Sequence, residues 1–298
     1  MALVRAPWPW ITAEMQVPQI TVLHDGHRLH FHHGPIDLIV EATGTGREAG
    51  LSRAAGRFHT VLSELVSELE ALRHPINEVH PVTGRIALAM QHAAARHLPG
   101  FVTPMAAVAG AVADEILRQI CAEGDVCRAY VNNGGDIGFH LSPGESFTAV
   151  IAAGSDTQIT LYSNSPVRGI ATSGWRGRSH SLGIADSVTV LAETAAQADV
   201  AATLIANAVD LPGHPAVQRV PANDMAPDSD LGMRLVTVDV GALSPHDIAT
   251  ALDAGERYAA RCLSRGHIIA AYLQLGETYR VVGAPELLTQ PEKDRLHA

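Results

Sequence analysis

Apolar residues recur along this chain with two different spacings. Over residues 48–73, Leu62, Leu65, Val66, Leu69 and Leu72 share one stripe of a 3.6-residue period, which predicts a long amphipathic helix closed by Pro75. Further helices are expected over 86–97 and over 104–122, the second opening with Pro104 at a first helical position and ending near Gly124. Thr194 caps an alanine-rich helix over 194–209, and Ser244 caps another over 245–264 that Gly266 ends. Shorter apolar runs predict strands. Residues 20–23 and 28–31 flank an Asp25-Gly26 turn and read as a hairpin. Other strands are expected at 36–42, 127–131, 147–152, 158–162, 169–171, 187–191, 235–240, 268–275 and 278–282, with 212–230 as a polar surface excursion.

Helices and strands cluster rather than alternate, which favours an α+β fold over a doubly wound sheet. No repeat or low-complexity linker divides the chain. It is expected to form a single domain over 1–298, with 1–19 and 286–298 as tails.

Composition narrows the function. Hydrophobic residues are 47% of the 298, enough for a substantial core, and charged residues are only 17%, which excludes disorder for most of the chain. A net charge of −10 argues against binding a phosphate backbone, so no nucleic acid partner is expected. No stretch reaches the roughly 18 uninterrupted apolar residues of a membrane span. Residues 1–10 carry no cationic region followed by an apolar run, so the expected location is cytoplasmic. Cys121, Cys127 and Cys262 are odd in number and far from a CxxC spacing, and read as inert thiols.

Several clusters carry possible chemistry. Gly44-Thr45-Gly46 with Gly50 has the wrong spacing for a dinucleotide fingerprint and reads as an ordinary strand-to-helix turn. His27, His30, His32 and His33 offer imidazoles, with His30 and His32 on one strand face, but no carboxylate at a recognisable spacing completes a ligand set. A solvated hairpin face is expected there. Asn132-Asn133-Gly134-Gly135-Asp136 follows a strand, where two glycines permit either a ligand-binding loop or a plain hairpin turn. Ala171-Thr172-Ser173-Gly174, followed by Arg176, Arg178, Ser179 and His180, is an exposed polar loop that could also hold an anion. Asp199 and Thr203 share a helix face, where they would face water or supply the hard oxygens that Mg²⁺ prefers. Asp186 is a candidate neighbour.

Taken in order, these parts resemble the ApbE-like superfamily, whose best-known members are FAD:protein FMN transferases. The resemblance covers residues 104–209. It rests on Met105-Ala106-Ala107-Val108-Ala109-Gly110-Ala111-Val112-Ala113-Asp114, Val131-Asn132-Asn133-Gly134-Gly135-Asp136, Ala171-Thr172-Ser173-Gly174, and Asp186-Ser187-Val188-Thr189-Val190 leading to Asp199 and Thr203. Ser181-Leu182-Gly183-Ile184-Ala185-Asp186 and Ala202-Thr203-Leu204-Ile205-Ala206-Asn207 bring it closer to an uncharacterised branch.

The resemblance implies a T-fold-like α+β architecture. It implies Mg²⁺ on Asp199 and Thr203, with a backbone carbonyl near Val108. A flavin nucleotide, FAD or FMN, would be lined by Asn133, Gly134, Gly135, Asp136, Thr172, Ser173 and Gly174. The reaction would be attack by a protein threonine on the FAD pyrophosphate, releasing AMP, so the partners are a flavin or other phosphorylated ligand and a protein acceptor. Asp136 or His180 would serve as general base, by residue type. Two departures stand out. The family lysine before the helix glycine is Ala109 here, and Arg178-Ser179-His180-Ser181-Leu182-Gly183 occupies the interval of the family's His-x-x-Asp-Pro-x-Thr-Gly segment. His80-Pro81-Val82-Thr83-Gly84 looks similar but lies upstream and is set aside. Three readings follow: a Mg²⁺-dependent flavin-nucleotide enzyme, a non-catalytic binding protein on the same scaffold, and an enzyme with a reassigned substrate. A homodimer is compatible with any of them.

Overall fold

Period-two burial sets the first strands of the sheet. The computed structural model describes residues 17–78, 80–151, 158–177, 179–284 and 288–289. Strands β1 (Gln19–Val22), β2 (Leu29–His33) and β3 (Ile36–Thr43) form a meander in which Ile36, Leu38, Val40 and Ala42 are buried and the residues between them only half so. The other strands are β4 (Arg128–Asn133), β5 (Asp136–Leu141), β6 (Ser146–Val150), β7 (Gln158–Tyr162), β8 (Gly169–Ser173), β9 (Ser187–Ala192), β10 (Val217–Pro221), β11 (Leu235–Val240), β12 (Ala270–Leu275), β13 (Thr278–Gly283) and β14 (Leu288–Thr289). Nine of them make one antiparallel sheet in the order β1-β2-β3-β4-β5-β8-β9-β12-β13. The strands β14-β7-β6 form a second sheet, and β10-β11 a two-stranded ribbon.

The helices are α1 (Arg47–Ser67), α2 (Leu69–Arg73), α3 (Arg85–Ala95), α4 (Val108–Ile120), α5 (Ala195–Ala208), α6 (Ala222–Met225) and α7 (Pro245–Ser264). One face of the large sheet carries α1 and α4 over β3 to β5, α5 over β8 and β9, and α7 over β12 and β13. The row of neighbours Val40, Val131, Gly138, Gly169 and Ala192 looks into these helices. On the opposite face Ile170, Leu191, Ala270 and Tyr272 pack with Ile159 and Leu161 of the small sheet. β9 is therefore covered on both sides and buried at every position, its polar Ser187 and Thr189 included.

Some boundaries differ from expectation for visible reasons. The helix expected over 48–73 breaks at Glu68, whose carboxylate turns away to accept the amides of Thr83 (2.6 Å) and Gly84 (3.1 Å) at the start of α3. Thr83 and Gly84 of the upstream look-alike segment thus serve a helix start. β5 was not expected, because Gly138 and His140 interrupt its apolar pattern; the sheet supplies what the sequence lacks. Within 212–230 lie β10 and α6, since β10 finds its partner in distant β11. Thr172 and Ser173 end β8 rather than starting a loop. Leu288–Thr289, inside the expected C-terminal tail, pair with β7, while 1–16, 290–298 and Arg178 lie outside the described residues.

Candidate functional site

The site begins where two small-residue helices cross. Gly110, in the first turn of α4, lies so close to α5 that a Cβ there would overlap the carbonyl of Ala195. The small side chains of the 106–113 stretch thus admit a backbone. One turn further along α4, Asp114 caps α5: Oδ1 accepts from Ala195 N (3.0 Å) and Oδ2 from Ala196 N (2.9 Å). Burial pushes the Asp114 carboxyl up to about 6, opposed by those two amides.

This crossing delivers Asp199 to the start of α4. Its Oδ2 accepts the Gly110 amide at 2.9 Å, and the Ala109 amide also bonds the carboxylate. Burial, and then the nearby negative charge of Asp136, push the Asp199 carboxyl well above the usual carboxylate range. Thr203 stands one turn later on α5, half-buried, with no hydrogen bond from its hydroxyl to the described residues. Asn133, buried, donates from Nδ2 to the Ala109 carbonyl at 3.1 Å. That carbonyl, next to Val108, faces the β4–β5 hairpin.

Gly134 and Gly135 form the two-residue turn of that hairpin, with φ of 66° and 118°, and Asn132 Oδ1 accepts the Gly135 amide at 2.8 Å. Both conformations favour glycine, so the segment is a tight hairpin turn. The same turn sets Asp136 beside Asn133 on the helix-facing side. Asp136 Oδ1 accepts the Thr172 amide at 3.3 Å. The Thr172 hydroxyl, by strand alternation, points to the opposite face and bonds the Thr189 hydroxyl at 2.9 Å. The Thr-Ser-Gly set thus meets Asp136 through the Thr172 backbone amide.

Asp186 spends both oxygens elsewhere: Oδ1 accepts from Arg176 Nε (2.6 Å) and Trp175 Nε1 (3.3 Å), and Oδ2 from the Gly276 amide (2.7 Å). It ties the 175–176 turn to the β12–β13 turn. His180 is half-buried and makes no hydrogen bond or ion pair to Asp199 or Thr203 among the described residues. The 181–186 and 202–207 segments touch each other: Asn207 Oδ1 accepts the Leu182 amide (2.8 Å) and the Ser181 hydroxyl (3.2 Å).

A cavity of about 700 Å³ opens at the start of α5, lined among others by His92, Arg96, Asp114, Arg118, His140 and Arg168. None of the sequence-predicted site residues lines it. Asp114 was within a motif that the sequence offered, yet its role as a cap appears only once α4 and α5 meet.

The family model described as "AbpE bacteria" matches residues 20–282, from β1 through β13. The chain belongs to the ApbE-like superfamily. This ApbE-like protein is 40% identical over 116 residues to a UPF0280 protein of Methanothermobacter thermautotrophicus, and 36% identical over 113 residues to one of Methanopyrus kandleri. Each alignment covers 37% of this chain and 44% of the relative, so the chain spans under half the length of the relatives it matches. Among solved structures, the apo flavinyl transferase ApbE of Pseudomonas stutzeri aligns with 91% of this chain and 97% of its own, at 14% identity and a TM-score of 0.45. No helix of the described residues is long and apolar enough to cross a membrane.

Proposed function

We propose that this ApbE-like protein is a Mg²⁺-dependent enzyme acting on a flavin nucleotide, transferring FMN from FAD to a protein acceptor. The observation that carries the reading is the negative charge of Asp136 acting on the buried Asp199 carboxyl, with the Thr203 hydroxyl one turn further along α5. Two carboxylates held together oppose each other's ionisation, and a hard divalent cation relieves that cost. The donor set is all oxygen, which suits Mg²⁺. Asp199 and Thr203 would hold the ion, with the Ala109 carbonyl at the edge of the same group. When bound, Mg²⁺ would neutralise charge on the pyrophosphate. The chain's own part is positioning. The Gly110 and Ala109 amides fix the Asp199 carboxylate, and the Gly134-Gly135 turn brings backbone close to a ligand beside Asn133 and Asp136. Asp136 is the better candidate base of the two, because it adjoins Asp199 whereas His180 makes no bond to it. In the reaction a phosphorus–oxygen bond forms to the acceptor threonine as the pyrophosphate link breaks, and AMP departs. Ser173, Gly174 and the Thr172 backbone would border the nucleotide. We take residues 1–298 to act as one domain.

The second reading, a binding protein on the same scaffold, is favoured by a specific feature. The segment replacing the family's His-Asp-Pro motif is bound down by Asn207, and Asp186 is fully paired. A fluorescence titration with FAD, with and without Mg²⁺, followed by chromatography for AMP, tests both. Metal-dependent binding with AMP release supports the enzyme. Binding without AMP supports the second reading, and no binding of FAD sinks both.

A further inference from the structure

We propose that His97, Cys262 and His267 form a second metal site, selective for a borderline-soft divalent ion of the Zn²⁺ class and independent of the oxygen site at Asp199. One ligand atom from each side chain lies within 4.8 Å of the other two. Around a tetrahedral ion with Zn–N of about 2.0–2.1 Å and Zn–S of about 2.3 Å, donors stand roughly 3.5 Å apart. Small side-chain rotations therefore close the set. The backbone already holds it. His97 follows the end of α3, and its amide donates to Ala94 O at 3.0 Å. Cys262 sits in the last turn of α7, and its carbonyl accepts the His267 amide at 2.9 Å. Arg96 joins the two helix ends by donating to Gly266 O at 2.7 Å.

Burial and chemistry separate this cluster from its rivals. His97 and Cys262 are 6% and 4% exposed, while His267 is only half-buried, which leaves one side for water as a fourth ligand. The clusters His30-His32-Asp37 and His74-Glu78-His80 are more exposed, and in each the carboxylate already pairs with both imidazoles. Among the described residues no carboxylate joins His97, Cys262 and His267; the two rings meet edge to face at 5.1 Å. The guanidiniums of Arg96 and Arg265 nearby oppose a cation. A bound thiolate would offset one of those charges, and the softness of imidazole and thiolate donors suits Zn²⁺ better than Mg²⁺. The ion would pin the end of α3 to the end of α7.

Co²⁺ added to the full chain tests the proposal, because a thiolate ligand produces a near-ultraviolet charge-transfer band that oxygen sites lack. One equivalent should develop that band together with tetrahedral visible bands, and Zn²⁺ should abolish both. Cys262→Ser should remove the charge-transfer band. His267→Gln, at a half-exposed position, should weaken Co²⁺ binding by 10-fold or more. Asp199→Ala should leave the band intact, which separates this site from the flavin reading. Circular dichroism verifies that each variant is folded. No charge-transfer band in the parent, or a band that survives Cys262→Ser, overturns the site.

Discussion

The amide of Gly110 donates a 2.9 Å hydrogen bond to Asp199 Oδ2, joining the first turn of α4 to the second turn of α5. The bond exists because Gly110 has no Cβ to strike the Ala195 carbonyl. A close helix crossing and an oriented carboxylate are therefore one feature of the sequence.

Gly110→Ala should force the two helices apart and destabilise the protein by about 1–3 kcal/mol, the usual cost of overpacking a tight contact. Urea denaturation of parent and variant measures it. A midpoint within error of the parent would mean that the crossing has slack.

Asp199→Asn removes a carboxylate whose ionisation burial and Asp136 both oppose. Without divalent ions the variant should melt no lower than the parent. With Mg²⁺ at 100 times its dissociation constant, the parent should gain about 2.7 kcal/mol and the variant far less. Thermal melts with and without Mg²⁺ decide it, and equal gains would remove Asp199 from the metal site.

Asp114 gives a pH signature. Its carboxyl lies at about 6 in the folded protein against an ordinary 3.8, so the folded state holds this proton more tightly. Its contribution to stability is greatest below the ordinary value and falls as pH rises through 6, by about 3 kcal/mol in all. Asp114→Asn should flatten the stability curve between pH 4 and 6 relative to the parent. Parallel curves for the two proteins would assign the slope to other groups.

Glu68 breaks one helix and starts another. Glu68→Ala should cost about 1–2 kcal/mol by leaving the Thr83 and Gly84 amides without their acceptor. Faster hydrogen exchange at those two amides should accompany the loss. Unchanged exchange would show that water replaces the carboxylate at no cost.

Much of this protein was written in residue order. The α5 and α7 caps at Thr194 and Ser244 and the short strands β3 and β9 each follow from capping chemistry and local composition. So did the pairing of Asp199 with Thr203, since four residues return to the same helix face. The His33 side chain shows the limit. It lies in the run of histidines expected to face water, yet alternation turns it inward to 4% exposure against Phe58, while His30 and His32 face out and find Asp37 across the strand pair. The carboxylate missing from that cluster was four residues beyond it, hidden by the turn.

What only the tertiary structure decided are relations between distant segments. The charge of Asp136 acts on Asp199 because the Gly134-Gly135 turn and the α4–α5 crossing converge on one sheet face, and Thr172 offers Asp136 its amide while its hydroxyl bonds Thr189 on the other. Likewise Cys262, unremarkable among three scattered cysteines, meets His97 because α3 and α7 end side by side. Local rules act over a few residues, through backbone geometry and hydrogen bonds. Which helix ends and strand edges come together depends on burying the whole apolar surface at once.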